Sequence, residues 1–235
     1  MIEEFLTPHF WVAVGQIIMI DILLGGDNAV VIALACRKLP DNQRTKGIVW
    51  GTVGAIVLRI ILIAFALALL QIPYLKFIGA LLLLWIGVKL IAPDDEDEHG
   101  NIQSSDKLWT AIKTVIVADL VMSIDNVVAI AAAAQGAGEK HELALVIFGL
   151  LVSIPIIVGG SQIILRLMDR FPIIITLGGM LLGWIAGTMA HTDPALVPWL
   201  PQDRTWHYAL GVAGALLVLV IGKWLQRRRA AAPAG

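Results

Sequence analysis

Apolar residues in this chain fall in blocks rather than stripes. Seven blocks read as membrane-crossing helices, at about 10–35, 47–70, 74–91, 110–134, 143–165, 172–191 and 206–225. A bilayer crossing takes about 20 helical residues. Glycine and proline inside some blocks are tolerable in lipid, where neighbouring helices satisfy the backbone. The expected fold is an all-α membrane protein with seven transmembrane helices.

Composition agrees. The 235 residues are 58% hydrophobic and 15% charged, with a mean hydropathy of +0.84. A soluble domain would carry roughly 25% charge, so no large soluble core is expected. The net charge of −1 says less than the distribution of charge. Of the 17 Lys and Arg, thirteen fall on one side of the expected topology: Arg37, Lys38, Arg44, Lys46, Lys89, Lys107, Lys113, Arg166, Arg170, Lys223, Arg227, Arg228 and Arg229. Lys76, Lys140 and Arg204 fall on the other, and Arg59 lies inside a helix. The positive-inside rule then puts the C-terminus in the cytoplasm and the N-terminus outside. Trp11, Trp50, Trp109, Trp199, Trp206 and Trp224 fall near helix ends, where interfacial aromatics belong. The single cysteine, Cys36, excludes an intramolecular disulfide framework and a multi-cysteine metal site. Met1-Ile2-Glu3-Glu4 lacks the basic start of a cleaved signal peptide, so the first block reads as a permanent helix.

The chain also repeats itself. DILLGGDNAVVIA at 21–33 matches DLVMSIDNVVAIA at 119–131, which pairs Asp21 with Asp119, Asp27 with Asp125 and Asn28 with Asn126. The same offset carries Gly51 onto Gly149. With one inserted residue, GALLLLWIG at 79–87 meets GGMLLGWIA at 178–186. Each unit spans three helices, and an odd number forces the second copy to enter the membrane from the opposite side. The chain therefore divides into a first three-helix repeat (1–92), an acidic cytoplasmic loop (93–109), a second, inverted repeat (110–192), a seventh helix with its outer loop (193–226) and a basic tail expected to be disordered (227–235). Folds of this kind place their site near the bilayer midplane, between the repeats.

Four aspartates at helix centres are the candidate chemistry. Each costs roughly 2.5–3.5 kcal/mol on insertion scales, and such residues face a bundle interior or a water-filled cavity. On a regular helix Asp21 and Asn28 share a face, about 20° apart, whereas Asp27 sits about 100° round from Asn28. Convergence of all three requires local unwinding, for which Gly25-Gly26 is the place of lowest steric cost. The candidate metal ligands are Asp21, Asp27, Asn28, Asp119, Asp125 and Asn126. All are hard oxygen donors, which suit Mg²⁺, Ca²⁺ or Mn²⁺, and no histidine or second cysteine lies at that depth to favour zinc or copper. Met122 lies on the acidic stripe and is a candidate soft ligand, which would tilt preference toward a transition metal; packing is its ordinary role. Arg59 is a candidate counter-charge for the aspartates when no cation is bound, and its counterpart in the second repeat is Ile157. Four clustered aspartates would not all ionise when empty. Metal binding should then release protons, which gives an exchange of a cytoplasmic divalent cation for outside protons.

Asp-x5-Asp-Asn, present as DILLGGDN and DLVMSIDN, resembles the TerC family of integral membrane proteins, in its shorter, seven-helix branch described as metal transporters. The likeness covers about residues 8–225. It implies manganese export, with a looser association with tellurite resistance, and it assigns the site to the same six Asp and Asn residues. The second copy has Ser123-Ile124 where the first has Gly25-Gly26.

Weaker signals have plainer readings. The acidic run Asp94–Glu98 with His99 reads as a solvated loop before it reads as a cation trap. His9, His141, His191 and His207 read as interfacial histidines. GGDN and GAGEK do not fit a P-loop, and no HExxH or GxSxG occurs. The expectation is a non-enzymatic exporter of a divalent cation, Mn²⁺ first, in a bacterial cytoplasmic membrane. Its partners would be the metal ion, the bilayer and protons, with no resident cofactor and no nucleic acid. The alternatives are an exporter of another small solute or oxyanion, and a non-transporting assembly or stress factor holding a structural ion.

Overall fold

The computed structural model describes residues 8–69, 72–92, 104–135 and 142–230. Among them there is no strand, and seven helices carry the chain: α1 (Pro8–Cys36), α2 (Asp41–Leu69), α3 (Leu75–Ile91), α4 (Ser104–Gln135), α5 (Glu142–Arg170), α6 (Ile173–His191) and α7 (Arg204–Ala230). The acidic run 94–98, His99, Lys140, His141, the side chain of His9 and residues 231–235 lie outside the described residues.

A helix stands on each apolar block, but two begin about one and a half turns early. α2 starts at Asp41 and α4 at Ser104, so the segment read as a loop up to residue 109 is helical from 104. These added turns are polar, and hydropathy does not see them. The Pro40 carbonyl accepts the N–H groups of Gln43 and Arg44, and Asp41 puts a negative charge at the helix start, where the dipole favours it. The tail expected to be disordered from 227 is instead helical through Ala230. There the Arg228 guanidinium lies 4.2 Å from the Trp224 ring centre, a cation–π contact that holds the last turns.

Asp41–Ile63, Val146–Arg170, Ile173–His191 and Arg204–Arg228 are long and apolar enough to cross a membrane. At most 39% of any of these segments is buried in the bundle, so most of their apolar surface faces outward. Phe65, Ile78, Leu81, Ile163 and Val220 stand exposed, as do the six tryptophans near helix ends. In water such a surface would aggregate; in lipid it is the solvated face.

The packing pairs helices across the two halves of the chain. α2 and α4 run side by side in the same direction, with Gly51 admitting Val115, Gly54 admitting Ile116, and Arg59 reaching Asp119 further along. α1 and α5 do the same, from the Trp11–Phe148 ring contact to Ala29 beside Gly160. α3, α6 and α7 form a third group held through glycines. A Cβ added to Gly87 would stand 3.1 Å from the Gly179 carbonyl, and at Gly183 or Gly187 it would strike the α7 backbone at Gly214 or Leu210. Small residues at this spacing let helix backbones touch.

Polar contacts fix the two ends. At one, Arg44 pairs with Asp169 at 2.9 Å and with Asp41 at 3.1 Å, and Arg37 donates to the Leu90 carbonyl at 2.9 Å. At the other, the buried Asp193 carboxylate accepts the N–H groups of Tyr74 and Phe77, both at 3.0 Å, and of Ala195 at 2.8 Å. Among the described residues Tyr74 is the one non-glycine with positive φ, 65°. Asp193 therefore pins a left-handed residue that would otherwise be disfavoured.

Candidate functional site: a charged centre inside the bundle

Three helices bring charge to one interior point. α1 carries Asp21, α2 carries Arg59 and α4 carries Asp119, each at most 6% exposed. The Arg59 guanidinium uses three of its donors there. Nη1 pairs with Asp21 Oδ1, Nη2 donates to Asp119 Oδ1 at 2.5 Å, and Nε donates to Ser123 Oγ at 3.0 Å. The Ser123 hydroxyl in turn donates to Asp119 Oδ2 at 3.0 Å, one helical turn back. Ser123 thus links the guanidinium to the far oxygen of the carboxylate.

The charge does not cancel. Two carboxylates face one guanidinium, and a third, Asp27, follows Asp21 by six residues on α1. Hydrogen bonding is incomplete as well. Among the described residues, Asp21 Oδ2, both polar atoms of the Asn28 amide and Thr52 Oγ are buried without a partner. Each such group costs about 1–3 kcal/mol in lost hydration. Asn28 shares its α1 face with Asp21 and Thr52 its α2 face with Arg59, in each case two helical turns, about 10 Å, along the helix from the charged centre.

The helix break expected at Gly25-Gly26 is absent. α1 is continuous from Pro8 to Cys36, and α4 is continuous past Ser123-Ile124. Two helical glycines cost about 1 kcal/mol each, less than freeing backbone groups where no water can satisfy them. Regular geometry then keeps Asp27 off the face of Asp21. Asp27 is half-buried, and its Oδ1 accepts the Asn28 N–H at 2.9 Å. Gly26 is exposed, and a Cβ there would meet nothing within 4 Å.

The other candidates have mixed placements. Asn126 is half-buried, and the side chain of Asp125 lies outside the described residues. Met122 is buried within the main apolar core. Among the described residues no three His, Cys, Asp or Glu side chains converge to hold a metal; between Asp21 and Asp119 stands the guanidinium. Sequence reasoning passed over Thr52 and Asp193. The spacing from Thr52 to Arg59 on an apolar helix was a usable signal for the first. Asp193 follows a helix end and carries no local pattern.

A lipid-facing bundle of helices around a buried, charged centre is the architecture of a polytopic membrane protein whose interior polar groups serve more than packing. The chain belongs to the integral membrane protein TerC family, whose pattern matches residues 6–230. It is 40% identical over 211 residues to the membrane protein YjbE of Bacillus subtilis, covering 90% of this chain and 94% of that one. It is 28% identical to YceF of the same organism over 80% of this chain and 74% of the relative. Similarity also reaches the inner membrane protein YgdQ of Escherichia coli, at 23% identity over 70% of this chain and 74% of the relative. No solved structure matches the chain.

Proposed function

We propose that this protein is a secondary transporter that exports a divalent metal ion, Mn²⁺ before others, through the centre built around Asp21 and Asp119. The observation that carries the reading is the pair of interior aspartates from two helices, closed over a positive charge, with an Asn28 amide that has no partner among the described residues two turns along the face of Asp21. Such a donor set has unused capacity for a cation with a demand for oxygen ligands. In the loaded form Asp27 and Asp125 are direct ligands, Asp21 and Asp119 are ligands or proton carriers, and Asn28 and Asn126 supply neutral oxygens.

Seven membrane spans in two inverted three-helix repeats complete the proposal, with the N-terminus outside and the C-terminus in the cytoplasm. The helix packing supports the inversion. Exchanging α1, α2 and α3 for α4, α5 and α6 turns the α2–α4 contact into α5–α1 and leaves the α3–α6 contact as it is. The inner-membrane name of YgdQ supports a bacterial cytoplasmic membrane. Arg59, committed to two carboxylates, gives an oxyanion no cradle. A guanidinium rather than a shared proton lies between Asp21 and Asp119, which favours a transporter over an aspartyl enzyme.

The test is cellular manganese content and resistance with and without the protein, and with Asp27→Ala. The protein should lower cell manganese and raise resistance. Asp27→Ala should abolish both at unchanged protein abundance; retained resistance would overturn the assignment. Uptake into inverted vesicles that ignores an imposed pH gradient would remove proton exchange.

A further inference from the structure

Among the described residues Arg59 is the one Lys or Arg fully buried in the bundle. Its guanidinium takes one oxygen of each carboxylate, Asp21 Oδ1 and Asp119 Oδ1, and lies between the two acids where a divalent cation bridging them would sit. A guanidinium and a doubly charged ion cannot share two carboxylates at contact distance, because their repulsion is strong where water is excluded. Occupancy of Asp21 and Asp119 is therefore exclusive.

We propose that Arg59 is a tethered competitor for the cargo. A divalent cation gains Asp21 and Asp119 only by displacing the guanidinium, and the return of the guanidinium expels the cation. This rests on the metal-transport reading and adds to it the residue that sets affinity, release and charge selectivity. A side chain anchored on a neighbouring helix competes from within the same molecule and cannot diffuse away, so the competitor is always present. A site of several buried carboxylates without one would hold its ion too tightly to let it go, whereas transport needs binding weak enough to reverse. The same competition rejects monovalent cations. One positive charge without a planar fork cannot outbid a guanidinium that already spans both carboxylates. Ser123 fixes the fork by accepting from Nε while holding Asp119.

Purified full-length protein in lipid nanodiscs, titrated with Mn²⁺ and followed by the paramagnetic resonance of free Mn²⁺, tests this with Arg59→Gln and Arg59→Lys. Arg59→Gln should bind Mn²⁺ at least tenfold more tightly than the unaltered protein and release it more slowly from loaded vesicles. Arg59→Lys, a point charge that reaches one carboxylate at a time, should fall between. Should Arg59→Gln fail to fold, Arg59→Lys carries the test, with binding at least threefold tighter expected. Equal or weaker Mn²⁺ binding in the folded variant overturns the competitor role alone. Absence of Mn²⁺ binding in the unaltered protein overturns the metal reading, and this inference with it.

Discussion

Asp21 and Asp119 occupy the same place in the two matching segments and grip opposite nitrogens of one guanidinium. Removing either acid leaves a neutral pair with Arg59. Removing Arg59 leaves two buried acids without their counter-charge, Asp119 keeping only the Ser123 hydroxyl. Breaking a buried ion pair by deleting one member costs about 3–5 kcal/mol when it strands a charge. Arg59→Gln should therefore lower stability by about 3 kcal/mol or more, and Asp119→Asn by about 1 kcal/mol, as read by thermal unfolding in detergent. The reverse order would mean that the charge balance at this centre is not what holds it.

Asn28 invites a change that separates folding from function. Its amide is buried with no hydrogen-bond partner among the described residues, so Asn28→Leu removes an unsatisfied group of similar size. The variant should fold at least as stably as the unaltered protein, with a gain of up to about 2 kcal/mol, while manganese resistance falls to that of cells without the protein. A stable, fully resistant variant would take Asn28 out of the site.

Asp193 makes a structural prediction far from the charged centre. Asp193→Ala strips three backbone N–H groups of their acceptor and releases Tyr74 from its left-handed turn. A loss of about 2–4 kcal/mol follows from the unsatisfied donors, with Asp193→Asn losing less. Melting temperature and proteolysis between α2 and α3 measure it. Manganese binding in the folded fraction should not change.

Gly183 on α6 has the Gly214 carbonyl where a side chain would begin. Gly183→Val must push α7 away and should destabilise by about 3 kcal/mol, at the upper end for overpacked cores. Loss of a disulfide engineered between α6 and α7 would report the separation directly.

The sequence made the helices legible because lipid demands long apolar blocks, and it made Asp21 and Asp119 legible because lipid penalises acids. Hydropathy missed the first turns of α2 and α4, where Asp41 to Lys46 and Ser104 to Trp109 lie at polar ends. The expected kink at Gly25-Gly26 failed for an energetic reason: glycine permits unwinding, but freeing backbone hydrogen bonds inside an apolar bundle costs more than keeping two helical glycines. Arg59 stood out as a charge in an apolar helix. That it would span both acids depends on α2 packing beside α4, a tertiary fact that no single segment carries. Asp193 was illegible for the same reason, since two of its three partners lie in a turn more than 100 residues earlier.

The glycine seam also decides which parts of the bundle are free to shift. Where backbone touches backbone, as at Gly87 with Gly179 and Gly183 with Gly214, sliding one helix past another drives main chain into main chain, so α3, α6 and α7 resist relative movement. At Gly26 on α1 and Gly159 on α5 a Cβ would instead meet nothing within 4 Å. Any rearrangement that opened the charged centre by moving whole helices would therefore meet less steric resistance at those positions than along the glycine seam.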